Sequence, residues 1–209
     1  VSFGPVTEDK VHLLIEYLQN DVLPMEMAIG RFPYGGEIEG EIPEQKVPLI
    51  YDLPVFAKQK RVALANCGLI NPDSLSEYVH RGGFSALSKV LKQMKPQEVI
   101  ATVTEAGLRG RGGGGFPTGR KWGFVAAESA DKKYLVCNAD EGDPGAFMDR
   151  SLLEGDPYRV LEGMLIAAYA MGATEGYIYV RAEYPLAIEK LKQAIKNMAE
   201  LALIGDNIL

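Results

Sequence analysis

Apolar residues first fall into a clear period between Thr7 and about Leu23. Val11, Leu14, Ile15, Leu18 and Val22 recur at helical spacing, and Thr7 can serve as the N-cap. The period is lost from Pro24 to Lys60, where Pro24, Pro33, Pro43, Pro48 and Pro54 fall together with Gly30, Gly35, Gly36 and Gly40. That texture predicts a long connecting segment and a domain boundary near residue 55, dividing the chain into 1–54 and 55–209.

Periodicity returns beyond it. Ser74-Leu75-Ser76-Glu77 has the form of a capping box and predicts a short helix stopping at Gly82-Gly83. A second helix is expected over Phe84–Met94. Pro96 can open a third that ends at Gly107, although Val99-Ile100-Ala101-Thr102-Val103 is β-branched enough to be a strand instead. Lys121 to about Ser129 reads as helical. Tyr134–Asn138 and Tyr177–Val180 read as buried strands, Asp156-Pro157 caps a helix over Tyr158–Met171, and Pro185 starts one to about Leu203. Strand, helix, strand, helix predicts an α/β fold: a mostly parallel sheet with flanking helices, preceded by a short helical and Pro-rich segment.

With 209 residues, 47% hydrophobic and 24% charged, the chain has the composition of a globular protein with a real core. Its net charge of −6 argues against general nucleic-acid binding. No apolar run approaches the roughly 20 residues that span a bilayer. Cys67 and Cys137 each sit in an apolar stretch, which predicts buried free thiols and a cytoplasmic setting. Two cysteines alone cannot hold an iron–sulfur cluster or a structural zinc. Val1 at one end and Gly205–Leu209 at the other give the look of a piece cut from something longer.

Gly110 to Gly119 holds six of the 23 glycines and runs into Arg120-Lys121-Trp122. Glycine this dense belongs where backbone passes very close to a ligand or takes positive φ. With cations on both sides and a helix following, the expected ligand is a phosphate. Gly110-x-Gly112-x-x-Gly115 formally satisfies the dinucleotide fingerprint, which also requires a preceding strand. The P-loop pattern fails, because Arg120 stands where glycine is required before Lys121.

A second constellation runs from Asn138 to Arg150, with Asp140, Glu141, Asp143 and Asp149 leaving the carboxyl end of a strand, where open α/β sheets place ligands. It can be a solvated acidic turn, a divalent-cation site without EF-hand spacing, or a set of acceptors for ligand hydroxyls and a ring N–H.

Together these motifs resemble a known family. Leu108–Trp122, Asn138–Arg150, Leu161–Met164 and Gly176–Tyr184 are similar, in order and spacing, to the flavin-bearing, NADH-oxidising subunit of respiratory complex I. They are also similar to its relatives in soluble NAD(P)-linked hydrogenases and formate dehydrogenases. Residues 7–30 look like the tail of a thioredoxin-like module preceding that domain. The resemblance implies FMN and NAD(P)H as cofactors, and iron–sulfur subunits of a larger electron-transfer complex as partners. By the same resemblance Gly110, Arg111, Gly112, Gly113 and Lys121 line the FMN, and Asn138, Asp140 and Glu141 bond its ribityl chain and ring edge. Phe116 and Phe124 sandwich the adenine, and Asp143 contacts the nicotinamide nucleotide and bears on NAD against NADP. The family's second flavin loop and its [4Fe–4S] cysteines, which lie further toward the C-terminus, are not in this sequence. Two rivals remain: a Rossmann-type dehydrogenase, which needs a strand at 99–103, and a non-catalytic interaction module.

Overall fold

The computed structural model describes residues 1–32, 46–143 and 145–205. Pro33, Gly35, Gly36, Gly40, Pro43, Pro144 and Asp206–Leu209 lie outside the described residues. The chain forms two compact units, Val1–Leu69 and Ile70–Leu209. The break therefore falls beyond the change of texture near residue 55.

In the first unit, β1 (Ser2–Phe3) pairs antiparallel with β2 (Ala28–Gly30). A 3-10 turn, Glu8–Lys10, leads into α1 (Val11–Asn20), so the expected helix forms in shortened form. Thr7 stands at the N-cap of the 3-10 turn without bonding the backbone there. Asp21, at φ 58, ends α1. The stripe on α1 is not core: Val11, Ile15 and Leu18 are exposed. Met27 and Val47 are buried hydrophobic side chains of this unit, and Arg31 Nε donates to the Val47 carbonyl at 3.0 Å. A short helix, α2 (Pro54–Ala57), begins at its proline.

The second unit carries the motifs. Its helices are α3 (Leu75–His80), α4 (Ser85–Gln93), α5 (Pro96–Glu105) and α6 (Thr118–Ala127). Then come β3 (Tyr134–Ala139), α7 (Met148–Gly155), α8 (Pro157–Met171), β4 (Glu175–Val180) and α9 (Pro185–Glu200). β3 and β4 pair in parallel, with Val136 opposite Tyr177 and Cys137 opposite Ile178. α7 and α8 make the crossover, so the α/β reading holds.

The ambiguous stretch at 99–103 is helix. Pro96 takes the first turn of α5, Glu98 Oε2 accepts the Lys95 N–H at 2.6 Å, and Gly107 at φ 66 follows the end. Val99 then faces the core, where Val90 and Ala170 meet it. Ser74 caps α3 by accepting the Glu77 N–H at 3.3 Å, but Glu77 turns its carboxylate to the Asn71 N–H at 2.7 Å. Only half of the expected capping box forms.

Expectation and structure part over the strands. Leu135, Cys137, Ile178 and Val180 face the helices, whereas Tyr134, Val136, Tyr177 and Tyr179 are all more than half exposed. The apolar runs suggested burial on both faces; among the described residues the pair has a helical layer on one face only, and alternation of side chains exposes the other. Neither cysteine is in a disulfide among the described residues, and both are only half-buried.

Tyr158 and Leu161 on α8 pack with Leu153, Ala187, Leu191 and Met198 to form the main core. α8 also carries the buried Glu162. Its Oε2 accepts the Tyr78 hydroxyl at 2.5 Å and the Phe84 N–H at 2.9 Å, and its Oε1 accepts the Leu87 N–H at 3.0 Å. α4 begins on Phe84 in the left-handed region, with no capping side chain of its own. A carboxylate from a distant helix therefore satisfies its first free N–H groups.

Candidate functional site

The glycine loop hangs between α5 and α6 and is closed at its base. Gly110 N–H donates to the Phe116 carbonyl at 2.9 Å, and Thr118 N–H to the Leu108 carbonyl at 2.9 Å. Arg109 Nη1 donates to the Gly115 carbonyl at 3.1 Å. Gly113 at φ 97 and Gly115 at φ 58 take the left-handed region, which favours glycine. A Cβ added at Gly112, Gly113 or Gly114 would meet nothing within 4 Å, so this backbone is bare and open to a ligand. Gly119 differs. A Cβ there would lie 2.1 Å from Thr104 Oγ1 and 2.7 Å from Thr104 N, so this glycine serves the close crossing of α5 and α6.

Arg111 and Lys121 are exposed on either side of the loop, as are Phe116 and Phe124. The two rings have centroids 6.4 Å apart at an interplanar angle of 47°. Arg120, to which no role was assigned from sequence, places its guanidinium 5.8 Å and 5.4 Å from their centroids. Arg120 and Phe124, four residues apart, share one side of α6, whereas Phe116 precedes that helix and is brought to the same side by the loop.

The acidic turn begins at the carboxyl end of β3. Asn138 Oδ1 accepts the Asp140 N–H at 3.1 Å, an Asx turn that leaves the Asp140 and Asp143 side chains exposed. Glu141 is buried and committed elsewhere. Its Oε1 accepts the Met148 N–H at 2.5 Å, and its Oε2 accepts the Arg150 N–H at 3.2 Å and the Tyr184 hydroxyl at 3.1 Å. Its own carbonyl accepts from Arg181 Nη1. α7, like α4, opens on a left-handed phenylalanine without a capping side chain, here Phe147 at φ 50. Glu141 is its borrowed cap, so its carboxylate faces peptide N–H groups and a tyrosine. The roles of Tyr184, Arg181 and Arg150 in this knot had no local signal in the sequence.

Electrostatics follow the bonding. Burial works to raise the Glu141 carboxyl, yet the N–H groups of Arg150 and Met148 and the Tyr184 hydroxyl outweigh it, and it lies below its ordinary value. Burial, and then the charge of Glu141, push Asp149 up. Burial followed by the Asp149 charge also raises the Cys137 thiol, which disfavours its thiolate. Among the described residues no group of three or more His, Cys, Asp and Glu side chains is arranged to hold a metal ion.

Glycine loop and acidic turn are carried by α6 and β3, and both of these pack on α8. The large apolar groove of this unit, about 1070 Å³ between Leu135, Ile178, Met164 and Leu191, contains none of their residues and is not the candidate site.

Known proteins share this stretch of sequence. Residues 103–204 match the family model Complex1_51K, described as the Nuo51 FMN-binding domain, so the resemblance read from the motifs is upheld. The chain is 57% identical over 151 residues to the NADP-reducing hydrogenase subunit HndC of Solidesulfovibrio fructosivorans, covering 72% of this chain and 30% of that one. It is 47% identical over 148 residues to an NADH-quinone oxidoreductase subunit of Rhizobium meliloti, covering 71% of this chain and 35% of that one. Against a crystal structure of an NAD+-reducing [NiFe]-hydrogenase it superposes with a TM-score of 0.54 at 28% identity. That match covers 97% of this chain and 30% of the other. The chain thus spans about a third of the length of these relatives.

Proposed function

We propose that this chain is the FMN- and dinucleotide-binding part of a subunit that oxidises NAD(P)H and passes electrons to iron–sulfur clusters of a larger complex. The observation that carries this reading is the bare glycine loop joined to an exposed aromatic pair, entered from a helix. The Rossmann alternative needs a strand at that point, and α5 stands there. The names of the relatives, an NADP-reducing hydrogenase subunit and an NADH-quinone oxidoreductase subunit, support the same class of reaction.

The residues present fit the flavin. Open backbone at Gly112–Gly114 lets a flat ring and a phosphate approach, Gly113 offers an N–H donor, Arg111 and Lys121 supply positive charge, and Gly110 lines the base of the loop. Asn138 and Asp140 present acceptors for ribityl hydroxyls. When bound, FMN supplies acceptance of a hydride from the nicotinamide and release of the electrons one at a time. The protein's work is positional. Phe116 and Phe124 hold the adenine end, and Asp143 meets the nicotinamide nucleotide. Glu141 keeps the acidic turn in place through α7 and Tyr184, and no side chain is needed as acid or base.

The iron–sulfur subunits and a cytoplasmic location belong to this proposal. No helix among the described residues is long and apolar enough to cross a membrane. The test is a visible spectrum of the purified protein with and without NADH. Flavin absorption that bleaches on anaerobic NADH or NADPH supports the reading. A protein that takes up no FMN when supplied with it, and binds no adenine nucleotide, overturns it.

A further inference from the structure

The guanidinium of Arg120 lies against both rings of the proposed adenine site. Phe116 is 46% exposed and Phe124 is 54% exposed, which is unusual for large rings unless something else covers them. An aromatic ring held between two faces needs them parallel and about 7 Å apart, two contacts of roughly 3.5 Å each. The observed rings are closer, at 6.4 Å, and tilted by 47°, with Arg120 over both. A base can enter only if the rings turn, and turning them disrupts the guanidinium's contact with both. None of the described ion pairs includes Arg120, so what holds it among the described residues is this exposed cation–π contact, which is weak.

We propose that Arg120 is a specificity-determining residue, which leaves the Phe116–Phe124 rings when adenine enters and pairs with the 2′-phosphate of NADP(H). The inference rests on the adenine reading above. Its Cα stays fixed on α6, about one turn from Phe124, so the displaced side chain remains beside the adenosine. A guanidinium matches a phosphate dianion in two parallel hydrogen bonds, and it is the side chain that meets the 2′-phosphate in other dinucleotide sites. The pyrophosphate has other donors, the loop N–H groups with Arg111 and Lys121, so Arg120 is left for the phosphate on the adenosine ribose. NAD(H) would displace the guanidinium without giving it a new partner. NADP(H) would displace it and pair with it.

The experiment is equilibrium titration of the protein, in its full-length form, with 5′-AMP and with 2′,5′-ADP, which differ in the 2′-phosphate. The protein as isolated should bind 2′,5′-ADP about tenfold or more tightly than 5′-AMP at low salt, with the difference shrinking as salt rises. Arg120→Leu should erase that preference while leaving 5′-AMP affinity within about a factor of two, and Arg120→Lys should keep part of it. The residue lies on an exposed helical surface, and a circular dichroism spectrum checks that each variant is folded. In steady-state assays Arg120→Leu should lower kcat/KM for NADPH far more than for NADH. Equal preference in the unmodified protein, or a preference that survives Arg120→Leu, overturns the proposal. An equal loss for both nucleotides assigns Arg120 to a shared phosphate and also overturns it. If neither nucleotide binds and Phe116→Ala changes nothing, the adenine reading itself has failed.

Discussion

The Tyr184 hydroxyl donates to Glu141 Oε2 at 3.1 Å, joining residues 43 apart in sequence. Glu141 stands just beyond β3 and Tyr184 just before α9, so this bond and the Arg181 contact pin together the segments that leave the carboxyl ends of both strands. The turn that exposes Asn138, Asp140 and Asp143 is held from beneath by a buried carboxylate. The division of labour within one motif is clear: the exposed acids face outward and the buried one fastens the loop.

That fastening is pH-dependent. A carboxyl held below its ordinary value contributes stability that is full above the unfolded-state pKa and is lost as pH falls through the folded one. Glu141 is of this kind, with an ordinary value of 4.5. Asp149 is raised and has the opposite sign: its contribution is present in acid and lost as pH rises. Glu141→Gln should lower the urea midpoint at pH 7 and flatten its fall between about pH 6 and 3. An unchanged acid limb would remove Glu141 from this role.

Glu162→Ala leaves two buried N–H groups and the Tyr78 hydroxyl without their acceptor. The expected loss is roughly 3–5 kcal/mol, and Glu162→Gln, which keeps one acceptor oxygen, should lose less. Chemical denaturation measures both. A loss under about 1 kcal/mol for the alanine variant would mean that water replaces the cap.

Gly119 and Gly114 should respond in opposite ways to alanine. At Gly119 the new Cβ meets Thr104 backbone as well as its hydroxyl, so α5 and α6 must separate, at a cost of about 1–3 kcal/mol. At Gly114 it meets open space, and thermal stability should hold while FMN affinity falls. Thermal melts with and without FMN separate the two effects.

Phe116→Ala should raise the KM for NADH while flavin content stays intact, since it removes one stacking face worth about 1 kcal/mol. Asp140→Ala should instead deplete bound FMN about tenfold or more, because a hydrogen bond to a charged acceptor is lost. Flavin lost from the first variant, or retained in full by the second, would reverse the assigned roles.

Local rules in the sequence settled the helices around the loop. Pro96 and Pro157 begin theirs, Ser74 and Asp156 cap theirs, and Gly172 at φ 73 ends α8, each through backbone chemistry complete within a few residues. The glycine loop was legible for the same reason, because its composition is itself the conformational requirement. Tertiary structure decided what depends on distant partners. Val99–Val103 had credentials for strand and helix, and packing of Val99 against Val90 and Ala170 chose helix. Tyr134 and Tyr177 looked like core by composition and are exposed, since burial depends on which layers are present rather than on the strand itself. Glu141 and Asp140 are neighbours of like charge, indistinguishable by type. Only the fold, by bringing α7 and Tyr184 to one of them, made it a buried cap and left the other exposed.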